Sequence, residues 1–253
     1  MSPPAGQIRL YRAEDERPVR FMIGKAKMEG LATANKKATI HPVTLSIWFG
    51  LAALLAEYMQ WWPRPEQGML RYLSPLPAFA CTLVLIIALI DWKNRPQFED
   101  ITQETLKWPD IPDLLGYYGR SPSGFWVLEF NDNPVGIAAI DASQNAEAQT
   151  AIPPGRDNSN GTSETAVLRH FYVDEPYRKA DIQKDLLQHV IRHTFTTDTK
   201  IRRVKATCSS LTSYLERALK EEGFTLESAE QSLGVFRWKT GIWKLERARF
   251  ENK

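Results

Sequence analysis

Ala166–Val190, AVLRHFYVDEPYRKADIQKDLLQHV, is the stretch that decides the fold. Ala166 to Val173 is rich in β-branched and aromatic residues and reads as a strand. Asp174 to Tyr177 carries turn chemistry, and after the basic pair Arg178 and Lys179 comes Asp181, which opens a strongly helical run. A strand that enters a helix through a tight turn leaves the helix N-terminus exposed at the strand end. Free backbone N–H groups and the positive end of the helix dipole converge there, which suits a phosphate.

The neighbouring elements extend this unit in both directions. Upstream, Phe125 to Phe130 and Pro134 to Ala142 read as strands, joined by the hairpin turn Asn131-Asp132-Asn133. Residues 143–164 (SQNAEAQTAIPPGRDNSNGTSE) lack periodicity and are rich in Asn, Ser, Gly and Pro, so a disordered excursion is expected there. Downstream come a helix (Asp181 to Phe195), a strand (Ile201 to Cys208), and a helix (Leu211 to Glu222) closed by Gly223. Two further strands follow, Thr225 to Ala229 and Leu233 to Leu245. At the start, Gln7 to Arg12 reads as a strand, and Val19, Met22, Ile23 and Ala26 fall at helical spacing within Asp15 to Ala38. Ile101 to Leu106 and Asp110 to Tyr118 form two more helical pieces, parted by Pro109 and Pro112.

Two apolar segments interrupt an otherwise water-compatible chain: Thr44 to Trp62 and Leu76 to Trp92. Each approaches the roughly 20 residues that cross a bilayer core, and Trp48, Tyr58, Trp61, Trp62, Tyr72 and Trp92 lie near their ends as interfacial anchors would. The expectation is a transmembrane hairpin; a pair of core helices or a re-entrant hairpin is the alternative. Lys25, Lys27, Lys36 and Lys37 precede the hairpin and Lys93, Arg95 and Lys107 follow it, whereas the connecting loop holds Arg64 and Arg71. This asymmetry places both termini in the cytosol, so the sequon at Asn160 should stay unglycosylated. Glu57, within the first segment, is expected to pair with Arg64 or reach the interface. The chain thus divides into residues 1–40, the hairpin at 41–93, and 94–247.

With 253 residues and 43% hydrophobic content, one domain with an appendage has ample core. Thirty-two basic against 30 acidic residues give a net charge of +2, without the basic excess of a nucleic-acid-binding surface. Cys81 and Cys208 are expected to be reduced and buried, four His show no metal-ligand spacing, and the charged first forty residues do not read as a cleavable signal peptide.

Arg178 to Gln183 resembles the acyl-coenzyme A loop of the GNAT N-acetyltransferases, where Arg/Gln-x-x-Gly-x-Gly/Ala follows a Val-ending strand. Arg178, Ile182, Leu186 and Leu187 match; Asp181 and Gln183 stand where that family has Gly and Gly or Ala. The whole element order is similar to GNAT with a hairpin between its first two helices, and the camello-like, cysteine-conjugate N-acetyltransferases carry a hydrophobic hairpin at that place. Ile8 to Tyr11, Asp110 to Leu114, Phe125 to Glu129, Val135-Gly136, His170 to Asp174 and Gly223-Phe224 carry the resemblance. It implies an α/β fold, a mixed twisted sheet flanked by helices with the transmembrane hairpin inserted, and a protein of the endoplasmic reticulum membrane with its GNAT-like domain in the cytosol.

The resemblance also implies acetyl-CoA as cofactor and an amine as acceptor. Backbone of Phe171, Tyr172 and Val173 and the loop Arg178, Lys179, Ala180, Asp181, Ile182 and Gln183 would contact the cofactor, and His170 is the candidate base. Strict alternation groups Leu168, His170 and Tyr172 on one face of the strand. Where the family places a tyrosine in the late helix this chain has Leu219, and Tyr214, five residues earlier, should face elsewhere. Asp181 is expected to cap its own helix. Two functions stay open: a membrane-anchored N-acyltransferase, or a catalytically retired fold that serves another membrane protein as chaperone or assembly subunit.

Overall fold

The computed structural model describes residues 6–63, 72–108, 110–144, 146 and 162–251. Apolar alternation and two-residue turns build a seven-stranded sheet from β1 (Gly6–Leu10), β2 (Gly124–Phe130), β3 (Asn133–Ser143), β4 (Thr162–Val173), β5 (Arg203–Ser209), β6 (Thr225–Leu233) and β7 (Trp238–Glu246). Its order is β1-β2-β3-β4-β5-β7-β6, with β4 and β5 parallel and every other pair antiparallel. The β2–β3 turn is made by Asn131 and Asp132, both at positive φ (50° and 60°), the type I′ geometry whose twist matches a hairpin.

Helices cover both faces. α5 (Ile182–Thr197) and α6 (Ser213–Glu221) bury Leu186, Leu187, Val190 and Leu219 against one face. α1 (Glu16–Thr39) and α4 (Leu114–Tyr118) bury Val19, Ile23, Leu114 and Tyr118 against Phe125, Val127, Ile137 and Tyr172 on the other. α6 stops where expected: Gly223 takes φ +91°, and the Phe224 N–H reaches back to the Leu219 carbonyl at 2.9 Å. That six-to-one closure needs the left-handed conformation glycine adopts freely. A short α7 (Arg247–Glu251) ends the described chain.

The apolar segments form α2 (Pro42–Tyr58) and the first half of α3 (Leu76–Leu106). α1 meets α2 at a 58° bend, where His41 accepts the Val43 N–H and Pro42 opens the new helix. Their seam is made of small residues, with Ala52, Ala56 and Ala78 fully buried and Thr82 tied to the Ala78 carbonyl, while the Trp48 indole donates across to the Phe79 carbonyl at 2.9 Å. The large side chains point outward: Phe49, Leu51, Leu54, Val84, Leu85 and Leu89 are exposed.

Three expectations change. Ile101–Leu106 is no separate piece, because α3 runs unbroken through Pro96 and through the anticipated boundary at residue 93, held by Arg95 pairing with Asp91 and Glu99 one turn to either side. Cys81 is exposed on the outward face of α3, although Cys208 is buried and its thiol is pushed up to about 11 by that burial. Of the excursion expected at 143–164, Ser143 ends β3 and Thr162–Glu164 open β4. Most of the stretch between, with Asn160, lies outside the described residues, as do Arg64, Arg71 and Pro109. Glu57 is exposed in the last turn of α2.

Below the apolar half, fully buried Asn94 joins three elements. Its Nδ2 donates to Asn35 of α1 and its Oδ1 accepts the Val235 N–H of the β6–β7 turn, both at 2.8 Å, while Gly234 donates to Gln97 at 2.7 Å. Asn94→Ala strands the half-buried Asn35 side-chain carbonyl and the Val235 N–H, so urea unfolding should show a loss of about 1–3 kcal/mol.

Candidate active site

β4 pairs with β5 from Thr165 to Leu168, opposite Arg203 to Ala206, and the two strands then part. On its other side the ladder to β3 slips: Ala139 faces His170 while Ile140 faces Leu168, leaving Arg169 as the extra residue of a β-bulge. This overturns the expected grouping of Leu168, His170 and Tyr172. Leu168 packs in the core under α5, whereas Tyr172 is in the core under α1, and the His170 ring lies 6.3 Å from that of Phe125 in the same α1-side core.

His170 is buried, and its Nε2 lies 2.6 Å from Oδ2 of Asp110, which is buried too. The Tyr118 hydroxyl donates to the same oxygen at 2.7 Å. Burial pushes the Asp110 carboxyl up, but the His170 and Tyr118 hydrogen bonds and nearby Arg169 outweigh it and hold it below the usual carboxylate range. Burial drives the Tyr118 phenol well above its ordinary value. Against an ionised Asp110 the His170 Nε2 donates, while Nδ1 has no hydrogen bond among the described residues. Asp110 Oδ1 is likewise buried and unpartnered.

Beside this pair, the buried Arg169 Nε donates to Asp141 Oδ2 at 2.7 Å, and the Tyr117 hydroxyl donates to the same atom at 3.1 Å. The Trp108 ring neighbours His170, Arg169 and Lys27. The His170 ring centroid is 5.9 Å from it, and Arg169 Cζ and Lys27 Nζ are each 5.8 Å from it. Asp110, Trp108 and Lys27 were not read as site residues; they come from the α3–α4 connection and from α1, far from His170 in sequence.

The loop brings the other expected residues together in a different way. A 3-10 turn, Glu175–Ala180, leads to Asp181, which adopts the left-handed conformation (φ 53°) as the N-terminal residue of α5. Its carboxylate does not cap the helix as expected; it accepts from the Gln183 side chain at 3.1 Å. The positive φ turns Asp181 out of the extended geometry a capping side chain requires. Lys179, Ala180 and Asp181 are exposed, Ile182 is half-buried, and Gln183 is buried with its Oε1 unpartnered. Arg178 donates to the Val173 carbonyl at 2.6 Å and forks onto Glu29 of α1, with Nη2 2.7 Å from Oε2. Its guanidinium stacks on Tyr214, Cζ lying 3.7 Å from the ring centroid. Tyr214 does face away from Leu219, which is wholly buried, and that direction is the loop. Phe171 and Val173 pack into the α5-side core, and the Tyr172 phenol, pushed up to about 12 by burial, donates to Asp174, which also takes Lys25.

Residues 87–228, more than half of the chain, match the acetyltransferase (GNAT) family. The chain belongs to that family. Among solved structures it is similar to a ribosomal-protein-alanine N-acetyltransferase from Brucella melitensis (14% identity, 95% of this chain and 99% of that one, TM-score 0.48). Another is a spermidine N-acetyltransferase from Vibrio cholerae in complex with CoA and spermine (8% identity, 98% of each chain, TM-score 0.47). A third is a GNAT-family acetyltransferase from Staphylococcus aureus (13% identity, 96% of this chain and 99% of that one, TM-score 0.47). A search of curated proteins found no match.

The backbone suits the family's cofactor. The strands diverge beyond Leu168, and no side chain caps the start of α5, so its first amides remain open to an anion.

Because folding holds Asp110 below its unfolded value, its pairing contributes stability above that value and loses it as pH falls through the lower folded one. The difference in unfolding free energy between the natural protein and Asp110→Asn should therefore be largest near neutrality and shrink over the acid range below the ordinary aspartate value of about 4. A difference that stays constant over that range would mean that Asp110 is not ionised against His170.

Proposed function

We propose that this protein is a membrane-anchored N-acyltransferase that passes an acyl group from acyl-CoA, acetyl-CoA first among them, to an amine. The observation that carries the reading is the imidazole of His170, oriented by Asp110, at the bulge where β4 leaves β5. Bound acyl-CoA supplies an activated thioester carbonyl. The backbone of Phe171, Tyr172 and Val173 would run beside its pantetheine arm, and the amides of Ile182 and Gln183, within reach of Lys179 and Lys184, would receive its pyrophosphate. Asp110 holds the His170 Nε2 proton, and Nδ1 takes the proton that the acceptor amine must lose. Tyr214, whose phenol burial pushes up, stays protonated beside the loop as a hydrogen-bond donor. Purified protein should acetylate small amines, and His170→Ala should lower kcat/KM about 10²–10⁴-fold with little change in acetyl-CoA affinity. Equal loss of cofactor binding would remove His170 from proton transfer.

The anchor rests on the inside-out hairpin, with small residues in the seam and large aliphatic ones outside, as expected of helices facing lipid. α3 is long and apolar enough to span. The lysines and arginines flanking the hairpin favour a cytosolic sheet, and the resemblance to camello-like enzymes favours the endoplasmic reticulum. Replacing Leu54 and Leu85 by Lys costs roughly 2.5–3.5 kcal/mol each at a helix centre. The double variant should leave the floating fraction in a liposome flotation experiment that retains the natural protein.

A retired fold serving another membrane protein is the second reading, favoured by one observation: Arg178 is committed to Glu29, and Asp181 and Gln183 bond each other where the family has small residues. Calorimetric titration separates the two. Saturable acetyl-CoA binding by the natural protein supports the enzyme, and binding that appears only in Asp181→Gly/Gln183→Ala supports retirement.

A further inference from the structure

Several polar side chains of α1 between Lys25 and Lys37 bond to other elements. Lys25 bonds Asp174 at 2.6 Å, Glu29 takes Arg178, Asn35 donates to Asp91 at 2.7 Å, and Lys37 donates to the Ser210 carbonyl at 2.9 Å. Among the described residues half-buried Lys27, like exposed Lys36, has no hydrogen bond and no ion pair, and its Nζ lies over the Trp108 ring, 5.8 Å from the centroid. The His170 imidazole and the Arg169 guanidinium lie within 6 Å of the same ring centroid (5.9 and 5.8 Å), so an amine and a base both neighbour Trp108 at the β4 bulge. The unpartnered Oδ1 of Asp110 belongs to the same cluster.

From this cluster we propose that Lys27 is itself an acyl acceptor, its side-chain amine taking an acyl group from the thioester that the site handles. The inference rests on the acyltransferase reading and adds a modification site to it. Nζ forms an amide bond to the acyl carbon as the carbon–sulfur bond breaks. The proton lost by nitrogen passes through His170 to solvent, and the leaving thiolate takes one up from solvent, so the products are an acyl-lysine and a free thiol. Such a reaction needs a neutral amine. Burial pushes the Lys27 amine below the ordinary lysine range, against the pull of the Asp110 carboxylate. The titratable and charged groups around it are Asp110, His170 and Arg169, of which only Asp110 favours its charged form. Acylation would remove a positive charge from the acceptor region and leave a bulky neutral group over Trp108, which opposes entry of a further amine.

The test uses the full chain in detergent with acetyl-CoA, read by intact mass and peptide mapping, with a free-amine acceptor assayed in parallel. One acetyl group per chain at Lys27 is expected, absent in Lys27→Arg and Lys27→Gln, and formed about 10²-fold more slowly in His170→Ala. A second arm needs no cofactor: N-hydroxysuccinimidyl acetate should modify Lys27 at a lower pH than exposed Lys179 and Lys200. Acetylation scattered over surface lysines, or retained in Lys27→Arg, overturns the inference. So does an unmodified Lys27, and the parallel assay then tells whether the acyltransferase reading stands without it or falls with it.

Discussion

The parallel pairing of β4 with β5 lasts only from Thr165 to Leu168, and most of the functional geometry follows from where it stops. A parallel ladder continued to the strand ends would seal the sheet and leave no room at its C-terminal edge. Once the strands part, the end of β4 keeps its β3 partner while its outer side is free, and the chain turns into α5 with the helix N-terminus facing the gap. The bulge at Arg169 acts at the same place. One extra residue there lets Arg169 and His170 reach the same cluster, so an imidazole, a guanidinium and two carboxylates gather under α1 and α4.

What could be read from the sequence was local. The Asn131-Asp132 turn, the Gly223 stop and the β-turn-α unit ending in Val173 each follow from backbone preferences of a few adjacent residues, and each stands in the structure. The site was legible in part. His170 could be singled out as a base, but Asp110 is sixty positions away on an irregular connection, and no spacing ties them together. The bulge defeated the two-residue alternation, since one inserted residue reverses the face of all that precede it. Arg178 was read as a free cation for phosphates; its partner Glu29 lies on a helix 149 residues earlier, and only the packing of α1 across the strand end brings them together. Asp181 had the composition of a cap without the backbone angle for one.

The loop and the dyad pull in different directions. Arg178 is ion-paired, stacked and hydrogen-bonded at once, an arrangement that orders the β4–α5 corner and ties it to α1. Arginine suits that role because its planar fork can chelate one carboxylate while its face lies on a ring. Near the helix start, Lys179 is exposed and Lys184 pairs with Glu221 at 3.6 Å. The His170 pair, by contrast, keeps an unpartnered carboxylate oxygen, Asp110 Oδ1, in a buried place, which a purely structural pair would be expected to satisfy.

α3 also acts as a ruler. Its 31 residues form one continuous helix, with most of the outward apolar side chains in the first half and the Asn94 junction and Phe98 core contact in the second. Leu106, two residues before Trp108, lies fourteen residues beyond Trp92, and at 1.5 Å per residue this is about 20 Å along the axis. The apolar half of α3 and the Trp108 end of the helix are therefore held at that separation. A single helix cannot lengthen or shorten as a flexible tether would. That separation is thus a fixed property of the fold.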